Sequence, residues 1–391
     1  MKIIGINQST ENGERNIAAV LEYPQRLSAD YVDAGCFAVE GRSLLDAYVS
    51  DEAGINTDKK SCNGCYVVLM LDAWQKEAET FPLMEQVRRM PQYTIRQTRE
   101  LAYEDGTACP AWTKPKRVTE MRNDVTDKFQ SWVYYDAKMD QEIDYSLYVP
   151  VRKAANERYP LVIYWHGMHE NGDKSLLHSL NATIWTLPEE QKERPCYVLV
   201  PKCPPDTVWI SRENGEPTGI FEAVCELIQI IMKRESIDEL RIYNIGYDMG
   251  GMAALECLKH YPDLFTASLV LAGWCRNEGL EVLADQKIWM FGSEDDGRVL
   301  AKNLCILNTL MEEGATVNRA VWDGSLRGES AEDQAWNQLL KDGNIKQTIY
   351  KKDSIKNECA HEDGWKPAVT NAVIRRWLFA QKKVKVSSVE G

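Results

Sequence analysis

The fold can be inferred most directly from residues 241–251, RIYNIGYDMGG, which are followed by MAALECLKHYP. An apolar run ends at this point, and a helix-forming segment starts directly after it. Glycines two positions before and two positions after one side chain, Gly246 and Gly250 around Asp248, allow a sharp turn from strand to helix. The pattern predicts a nucleophile elbow that presents Asp248 at the end of a strand.

On both sides of this elbow, short apolar runs alternate with helical stretches. The apolar runs include LVIYW at 161–165, YVLVP at 197–201 and SLVLAG at 268–273, and helical patterns cover 220–233 and 252–260. Continuous apolar strands that alternate with helices indicate an α/β fold with a mostly parallel sheet buried on both faces. Functional residues are then expected at the carboxyl ends of the strands.

The loop after one of these strands is a candidate oxyanion site. LVIYWHGMHENG ends a strand in His166-Gly167, and a loop after such a pair commonly supplies a backbone N–H to an oxyanion hole. The second donor is expected to be the N–H of Met249, directly after Asp248 at a helix N-terminus. We expect the His166 side chain to have a structural role beneath the loop.

Two downstream segments supply candidates for an acid and a histidine. KIWMFGSEDDG finishes a strand with Asp295, with Asp296 as the alternative, and ECAHEDGW contains His361 in a loop before the final helix. Nucleophile, acid and histidine thus occur in the chain order of one class of hydrolytic triad. The sequence predicts a triad of Asp248, Asp295 and His361.

The N-terminal third has a different pattern. At 391 residues the chain exceeds the roughly 250 to 300 residues at which single cores stop growing. Short β-like segments at 16–23, 66–71 and 93–101, separated by polar turns, indicate a small β-sandwich. We therefore expect a β-sandwich domain over 1–127 and a second domain over 128–391. The first is expected to act as a scaffold or a homodimer surface.

Composition limits the partners and the compartment. A net charge of -13 disfavours nucleic acid as a partner, and a small-molecule substrate is expected instead. No apolar stretch has the length of a membrane span, and the N-terminus lacks a signal-peptide pattern. We expect a cytoplasmic protein, with a leader removed from the chain as the alternative. Eleven scattered cysteines indicate reduced thiols. The Cys62-x-x-Cys65 motif has no spaced partner, so neither a metal nor a cofactor is predicted.

These residues resemble bacterial esterases of the α/β-hydrolase superfamily that have an N-terminal immunoglobulin-like domain. They are also similar to feruloyl-esterase-like and polyhydroxybutyrate-depolymerase-like hydrolases. The resemblance covers nearly the whole chain. It rests on YSLYVP (145–150), YPLVIYWHG (159–167), IDELRIYNIGYDMGG (237–251), AHEDGW (360–365) and, for the immunoglobulin-like domain, AAVLEYPQRLSADYVDAGCFAV (18–39).

The resemblance implies roles for five positions and one departure from the family. Asp248 falls on the serine nucleophile, Asp295 on the acid and His361 on the base, while the backbones of Met168 and Met249 supply the oxyanion donors. The departure is the nucleophile itself, because the family has serine where this chain has aspartate. The extra helix and strand that end in NIKQTIYKK (344–352) are interpreted as an elaboration above the active site.

Replacing serine by aspartate changes the chemistry that is expected. A carboxylate with a pKa near about 4 is already ionised at pH 7, so it needs no base before it attacks. Attack on an acyl carbon forms an anhydride, whereas attack on a saturated carbon forms an ester that a His361-activated water can hydrolyse. The triad then resembles that of haloalkane dehalogenases and epoxide hydrolases. Met249, however, stands where those enzymes usually have tryptophan, and no cap-sized insertion is visible.

Three hypotheses follow. The first is an active hydrolase of esterase-like lineage that uses Asp248 as a covalent nucleophile or as a base. The second is a catalytically silent ligand-binding protein on an esterase scaffold. The third is a lyase or isomerase in which Asp248 and His361 transfer protons. The pocket is expected between the HGMHE loop, the elbow and the loop of His361, and the candidate substrate contacts are His169, Trp209, Trp274 and Tyr247.

Overall fold

The chain folds into two compact units. The computed structural model describes residues 1–56, 62–81, 87–151, 154, 156–178, 180–211, 213–355 and 359–384. One unit comprises Met1–Lys128 together with Leu177–Ser179, and the other comprises Phe129–Leu176 and Leu180–Gly391. Each unit has its own hydrophobic core.

The first unit is built from β-strands. In its described residues, the largest sheet has the order β10-β1-β2-β5-β4, with β1 and β10 parallel and the other pairs antiparallel, and a second sheet has the order β3-β6-β9. The strands are β1 Ile3–Thr10, β2 Gly13–Leu27, β3 Phe37–Glu40, β4 Leu44–Ser50, β5 Gly64–Leu71, β6 Thr94–Gln97, β7 Leu101–Ala102, β8 Ala108–Cys109, β9 Trp112–Arg117 and β10 Glu120–Asn123.

The second unit is organised around one large sheet. Among the described residues this sheet has the order β11-β12-β14-β13-β15-β16-β17-β19-β18, and every pair from β14 to β18 is parallel. The strands are β11 Gln130–Asp136, β12 Gln141–Tyr148, β13 Tyr159–Trp165, β14 Tyr197–Pro201, β15 Ile237–Tyr247, β16 Ala267–Leu271, β17 Ile288–Ser293, β18 Val317–Trp322 and β19 Ile345–Tyr350.

Helices connect the parallel strands and cover the sheet. Those of the described residues are α1 Lys174–Leu177, α2 Leu180–Thr183, α3 Pro188–Glu193, α4 Gly219–Arg234, α5 Met249–His260, α6 Gly297–Glu312, α7 Glu329–Leu339, α8 Ala360–Asp363, α9 Lys366–Val369 and α10 Ala372–Ala380. The inner strands β13, β14 and β16 are buried along their whole length, as expected for a parallel sheet between two helical layers.

The interpretation of the NIKQTIYKK segment as an elaboration above the active site is wrong. Its strand, β19, lies inside the sheet, where it pairs in parallel with β17 on one side and β18 on the other. Five of its six residues are buried. β19 therefore lies between β17 and β18 in the sheet although it follows both in sequence, and pairing on both edges satisfies the hydrogen-bonding groups of its buried backbone.

Two further features concern the chain as a whole. None of the helices in the described ranges combines the length and the apolar character that a bilayer crossing requires. All eleven cysteines are free thiols.

Candidate active site

The turn between β15 and α5 forces Asp248 into an unusual backbone conformation. Asp248 has φ 51° and ψ -116°, a region that non-glycine residues rarely occupy because it costs roughly 1 to 3 kcal/mol. Its N–H donates to the carbonyl of Leu271 and its carbonyl accepts from Met252 N, at 2.9 and 3.1 Å. The surrounding structure thus holds the strained residue at the carboxyl end of the sheet, as in a nucleophile elbow.

The two glycines that flank Asp248 are required by close backbone approaches. A Cβ atom on Gly246 would lie 2.0 Å from the carbonyl oxygen of Gly250, and a Cβ atom on Gly250 would lie 1.8 Å from that of Trp165. No side chain fits at such distances. The small residues recognised in the sequence therefore allow α5 to start directly beside the end of β13.

Asp248, His361 and Asp296 form a connected row of side chains. His361 Nε2 lies 3.0 Å from Asp248 Oδ1, and His361 Nδ1 lies 2.5 Å from Asp296 Oδ2. The three side chains are 28%, 27% and 15% exposed, in the order Asp248, His361, Asp296. The row therefore has the connectivity of a catalytic triad, with its first member accessible to a small molecule.

The prediction that Asp295 is the acid of this row is wrong. Asp295 is exposed, and its Oδ2 accepts from the backbone N–H of Asp353, in the turn after β19, at 2.8 Å. Asp296, the alternative considered from the sequence, contacts His361 with one oxygen and accepts from Val299 N with the other, as the N-cap of α6. The N-cap geometry turns the Asp296 side chain toward His361, since successive residues of a turn point in different directions.

The predicted oxyanion donors contact Asp248 itself. Met168 N donates to Asp248 Oδ2 at 3.1 Å, and the N–H of Met249 also stabilises this carboxylate. In a serine hydrolase such donors face the oxygen of the substrate's tetrahedral intermediate. Here Oδ2 of Asp248 lies against one of these predicted donors, and Oδ1 faces the histidine.

The charges of the row stabilise one another. Hydrogen bonds to Asp248 and Asp296 raise the pKa of His361 to about 10, although burial opposes this shift. Burial acts to raise the pKa of both carboxyls, but the hydrogen bonds and the positive charge of His361 outweigh it, so both pKa values lie below the ordinary range. At neutral pH the row consists of an imidazolium between two carboxylates.

Tyr247 was predicted to contact the substrate, and the structure gives it a positioning role instead. Its side chain is buried, and its hydroxyl donates to the backbone carbonyl of Glu362 at 3.1 Å. A Cβ atom on Gly167 would lie 2.8 Å from its ring. Burial raises the pKa of Tyr247 well above its ordinary value, so the hydroxyl stays a donor. Tyr247 therefore connects the loop that contains His361 to the loop that follows His166-Gly167, called the HG loop here.

Trp209 and His169, also predicted to contact the substrate, do not line the cavity beside Asp248. Trp209 is fully buried, and its Nε1 donates to the carbonyl of His166 at 3.1 Å. His169 is exposed and lies outside the cavity wall. The sequence interpretation of His166 agrees with the structure, since its Nε2 accepts from Cys203 N at 2.9 Å and burial lowers its pKa to about 4. Neutral His166 and Trp209 therefore support the HG loop.

A cavity of about 260 Å³ opens beside Asp248. Asp248 is the acidic residue of its wall. Pockets for drug-sized ligands typically measure about 300 to 1,000 Å³, so this cavity suits a substrate of few heavy atoms. Trp274, a predicted contact, is part of the wall, and the apolar lining is completed by Met168, Met249, Met252 and Ile210. The methionine side chains of this lining adapt their shape readily.

Two residues at this cavity were missed by the sequence analysis. Arg298 and Lys302, both on α6, complete its lining. Their spacing of four places them on the same face of a helix, and α6 starts directly after the strand that leads to Asp296. This spacing is a signal that the sequence already contains.

A comparison with protein-family models bears on the first unit. Residues 2–110 match the family described as the esterase Ig-like N-terminal domain. A comparison with proteins of curated function finds no match.

The comparison with solved structures bears on the whole chain. The crystal structure of a thermostable esterase superposes with a TM-score of 0.83 and 26% identity, covering 98% of this chain and 100% of that chain. The fold prediction is therefore confirmed: an Ig-like N-terminal domain precedes an α/β-hydrolase domain with a mostly parallel sheet. These findings support an esterase-like α/β-hydrolase lineage.

Two more distant structures resemble part of the chain. A ferulic acid esterase has 12% identity and a TM-score of 0.39, covering 62% of this chain and 97% of that chain. A fluorophosphonate-binding serine hydrolase from Staphylococcus aureus has 11% identity and a TM-score of 0.42, covering 64% of this chain and 98% of that chain. At these scores they are too distant to bear on the chemistry of this chain.

Proposed function

We propose that this chain is a hydrolase in which Asp248 is a covalent nucleophile toward a saturated carbon of a small organic substrate. The observation that carries the proposal is that the two oxygens of Asp248 have different contacts. Oδ2 accepts from Met168 N at 3.1 Å and Oδ1 faces His361 Nε2 at 3.0 Å. These contacts support a role for Oδ2 as the carbonyl oxygen of an ester and for Oδ1, beside the histidine, as the attacking oxygen.

The first step needs no base, because the lowered pKa of Asp248 keeps its carboxyl ionised at neutral pH. A lone pair of Oδ1 forms a bond to the substrate carbon, and the bond from that carbon to its leaving group breaks. The leaving group departs with the bonding electron pair. An alkyl ester of Asp248 results, with its carbonyl oxygen in the oxyanion hole.

Esterification also converts His361 into a base. The hydrogen bond to Asp248 is the largest cause of the raised pKa of His361. Once Asp248 is a neutral ester, that cause disappears, the pKa of His361 falls and its Nε2 proton passes to solvent. The histidine that is an imidazolium in the free protein is then able to accept a proton from water, with its orientation maintained by Asp296.

The second step hydrolyses the ester. Water loses a proton to His361 and attacks Cγ of Asp248, and the negative charge develops on Oδ2, where the N–H groups of Met168 and Met249 stabilise it. The bond from Cγ to Oδ1 breaks, and the product alcohol leaves with Oδ1 and takes the proton from His361. The new carboxylic acid transfers its proton to His361, and this restores the ion pair.

A silent ligand-binding protein is the second candidate, and one observation favours it. In the free protein the donors of Met168 and Met249 are used by Asp248, so the hole is closed to the oxyanion of an ordinary ester substrate. A third role, in which Asp248 and His361 move protons without a covalent bond, requires turnover without an adduct.

Covalent trapping tests the proposal. His361→Gln removes the base of the second step and leaves Asp248 in place, so small primary alkyl bromides and epoxides are expected to leave a stable ester on Asp248. Intact mass and peptide mapping measure the adduct. Asp248→Asn is the negative control. Asp295→Asn, one residue from Asp296 but without contact to His361, is the matched control and should turn over as the unaltered chain does.

A single turnover in ¹⁸O-water identifies the bond that water attacks. Attack at Cγ places the label in the Asp248 carboxylate, whereas direct attack on the substrate places it in the alcohol. Label found only in the alcohol, or absence of any adduct in His361→Gln, would remove the covalent mechanism. Turnover without an adduct would select proton transfer, and binding without turnover would select the silent protein.

A further inference from the structure

Two cationic side chains of one helix line the wall of the cavity beside Asp248. Arg298 and Lys302 are one turn apart at the start of α6, whose N-cap is Asp296. The helix that positions the acid of the triad thus also places two positive charges beside the nucleophile.

Neither cation forms an ion pair with a carboxylate among the residues that the structure describes, although the charge of Arg298 contributes to the lowered pKa of Asp296. Nearby cations do form ion pairs: Arg276 pairs with Glu216 at 3.2 Å, and buried Lys259 pairs with Glu256 at 2.9 Å. Carboxylates are abundant in this chain, which has a net charge of -13. Two cations at one cavity wall that form no ion pair with the described carboxylates are therefore unexpected. Lys302 Nζ instead lies over the ring of Trp274, 2.7 Å from its centroid, where cation–π attraction stabilises it.

The charge of the site is positive when these residues are counted. The imidazolium of His361 and the carboxylates of Asp248 and Asp296 sum to one negative charge, and Arg298 with Lys302 adds two positive charges. These five residues together therefore have one excess positive charge. Burial and the neighbouring charge of Arg298 lower the pKa of Lys302, and a bound anion would relieve this unfavourable environment.

We propose that the cavity binds a small organic acid, whose carboxylate or similar oxyanion is held by Arg298 and Lys302 while its reactive carbon lies over Asp248. This inference rests on the proposed function for the reactive carbon, but the anion site itself requires no chemistry. Guanidinium and ammonium groups form the strongest class of hydrogen bonds with such anions. The apolar wall of methionines and Trp274 packs against the carbon chain between the two ends.

Binding of butyrate and of its neutral analogue butyramide tests the anion site. The two probes have nearly the same shape, so their difference reports charge. We expect the unaltered chain to prefer butyrate by about tenfold or more, as hydrogen bonds to charged groups predict. Ligand-observed NMR titration measures both affinities, including weak ones.

Charge-removing variants locate the preference. Arg298→Gln and Lys302→Gln should each reduce the preference for butyrate, and the double variant should abolish it. Lys287→Gln is the matched control, because Lys287 is an exposed cation at the opposite end of β17. It removes the same charge and should leave the preference unchanged. Circular dichroism checks that the variants are folded. Equal affinities for butyrate and butyramide, or a preference that the double variant retains, would overturn the anion site.

Alkylation by 3-bromopropionate and 3-bromopropionamide separates this inference from the proposed function. In His361→Gln, the acid should modify Asp248 faster than the amide, and the double charge variant should equalise the rates. Equal rates in the His361→Gln chain would leave Asp248 as a nucleophile and contradict the anion site. Charge-dependent butyrate binding without modification of Asp248 would leave the anion site and contradict the nucleophile.

Discussion

Asp248 differs from a serine in what its side chain occupies. A serine hydroxyl has one oxygen, which leaves the oxyanion donors free for substrate. The second oxygen of Asp248 accepts from Met168 N at 3.1 Å and occupies that position in the free protein. At the scale of one residue, an aspartate at this position therefore places its own carboxylate oxygen against a donor that faces the substrate oxyanion in a serine hydrolase.

Asp248→Ser is expected to create or raise activity on small activated esters. The change vacates the oxyanion hole, and it removes the largest cause of the raised pKa of His361, so the histidine can deprotonate the serine. Each freed donor is worth on the order of 10²-fold in rate. Hydrolysis of 4-nitrophenyl acetate measures the gain.

The double variant Asp248→Ser, His361→Gln is the control for this gain and should lack it. Alkylation by bromoalkanes should disappear in Asp248→Ser at the same time. A correctly folded Asp248→Ser chain without ester hydrolysis would indicate that the loop geometry does not stabilise a substrate oxyanion.

Asp296→Asn is expected to lower the pKa of His361 from about 10. The asparagine keeps an oxygen for the N-cap contact with Val299, since Asn caps helices as well as Asp does, but it loses the charge beside His361. NMR titration of the imidazole protons measures the change. Asp295→Asn should leave the pKa unchanged, because Asp295 contacts Asp353 instead. Equal effects of the two substitutions would contradict the assignment of Asp296.

The same interaction makes stability depend on pH. Because folding raises the pKa of His361, its protonated form stabilises the folded state fully below its ordinary pKa, near about 6.5. This stabilisation is lost as the pH rises toward about 10. Asp248 and Asp296 have lowered pKa values, so their contribution is lost in acid. Asp296→Asn should therefore reduce the decrease in the free energy of unfolding as the pH rises from about 6.5 toward about 10.

At the scale of elements, the elbow depends on how closely β13, β15 and α5 approach one another. A methyl group on Gly250 would lie 1.8 Å from the carbonyl oxygen of Trp165, and neither strand nor helix can shift without disturbing the buried sheet. Asp248 keeps its strained backbone conformation because this close packing leaves no room for the chain to adopt another one.

Gly250→Ala is expected to lower the free energy of unfolding by about 1 to 3 kcal/mol or more, the usual cost of overpacking. Chemical denaturation measures it. Gly297→Ala at the start of α6 is the matched control, because an added Cβ meets nothing within 4 Å there and alanine favours helix. A Gly250→Ala chain as stable as the Gly297→Ala chain would show that the elbow has room to relax.

At the scale of the whole molecule, the candidate site belongs to the second unit alone. Its triad, its donors and the cavity wall lie between Met168 and His361, and one large buried cluster of this unit extends from Ile143 to Ile345. The Ig-like unit has separate cores. We propose that it acts as a scaffold or a dimer surface and supplies no catalytic group.

Residues 128–391 expressed alone are therefore expected to fold and to react at Asp248 as the full chain does. A complete core predicts one cooperative unfolding transition, which circular dichroism measures. The rate of bromoalkane alkylation in fragment and full chain, both with His361→Gln, compares the sites. Aggregation or a non-cooperative transition would show that the second unit depends on the first.

Much of this architecture was readable from local pattern. The elbow follows from glycine spacing around Asp248, the parallel sheet from apolar runs, and the positions of Asp248 and His361 from their order along the chain. These features depend on backbone sterics and burial, which act over a few neighbouring residues, so the sequence contains them in a form that can be read directly.

Other features depended on contacts between distant segments. The choice of Asp296 over Asp295 follows from the direction of two adjacent side chains, which the α6 cap and the turn at Asp353 set together. The placement of β19 between β17 and β18, and the joining of Arg298 and Lys302 to Trp274 in one cavity, likewise arise from packing across the sheet. Pairing partners and side-chain directions are properties of the assembled core, and no short stretch of sequence specifies them.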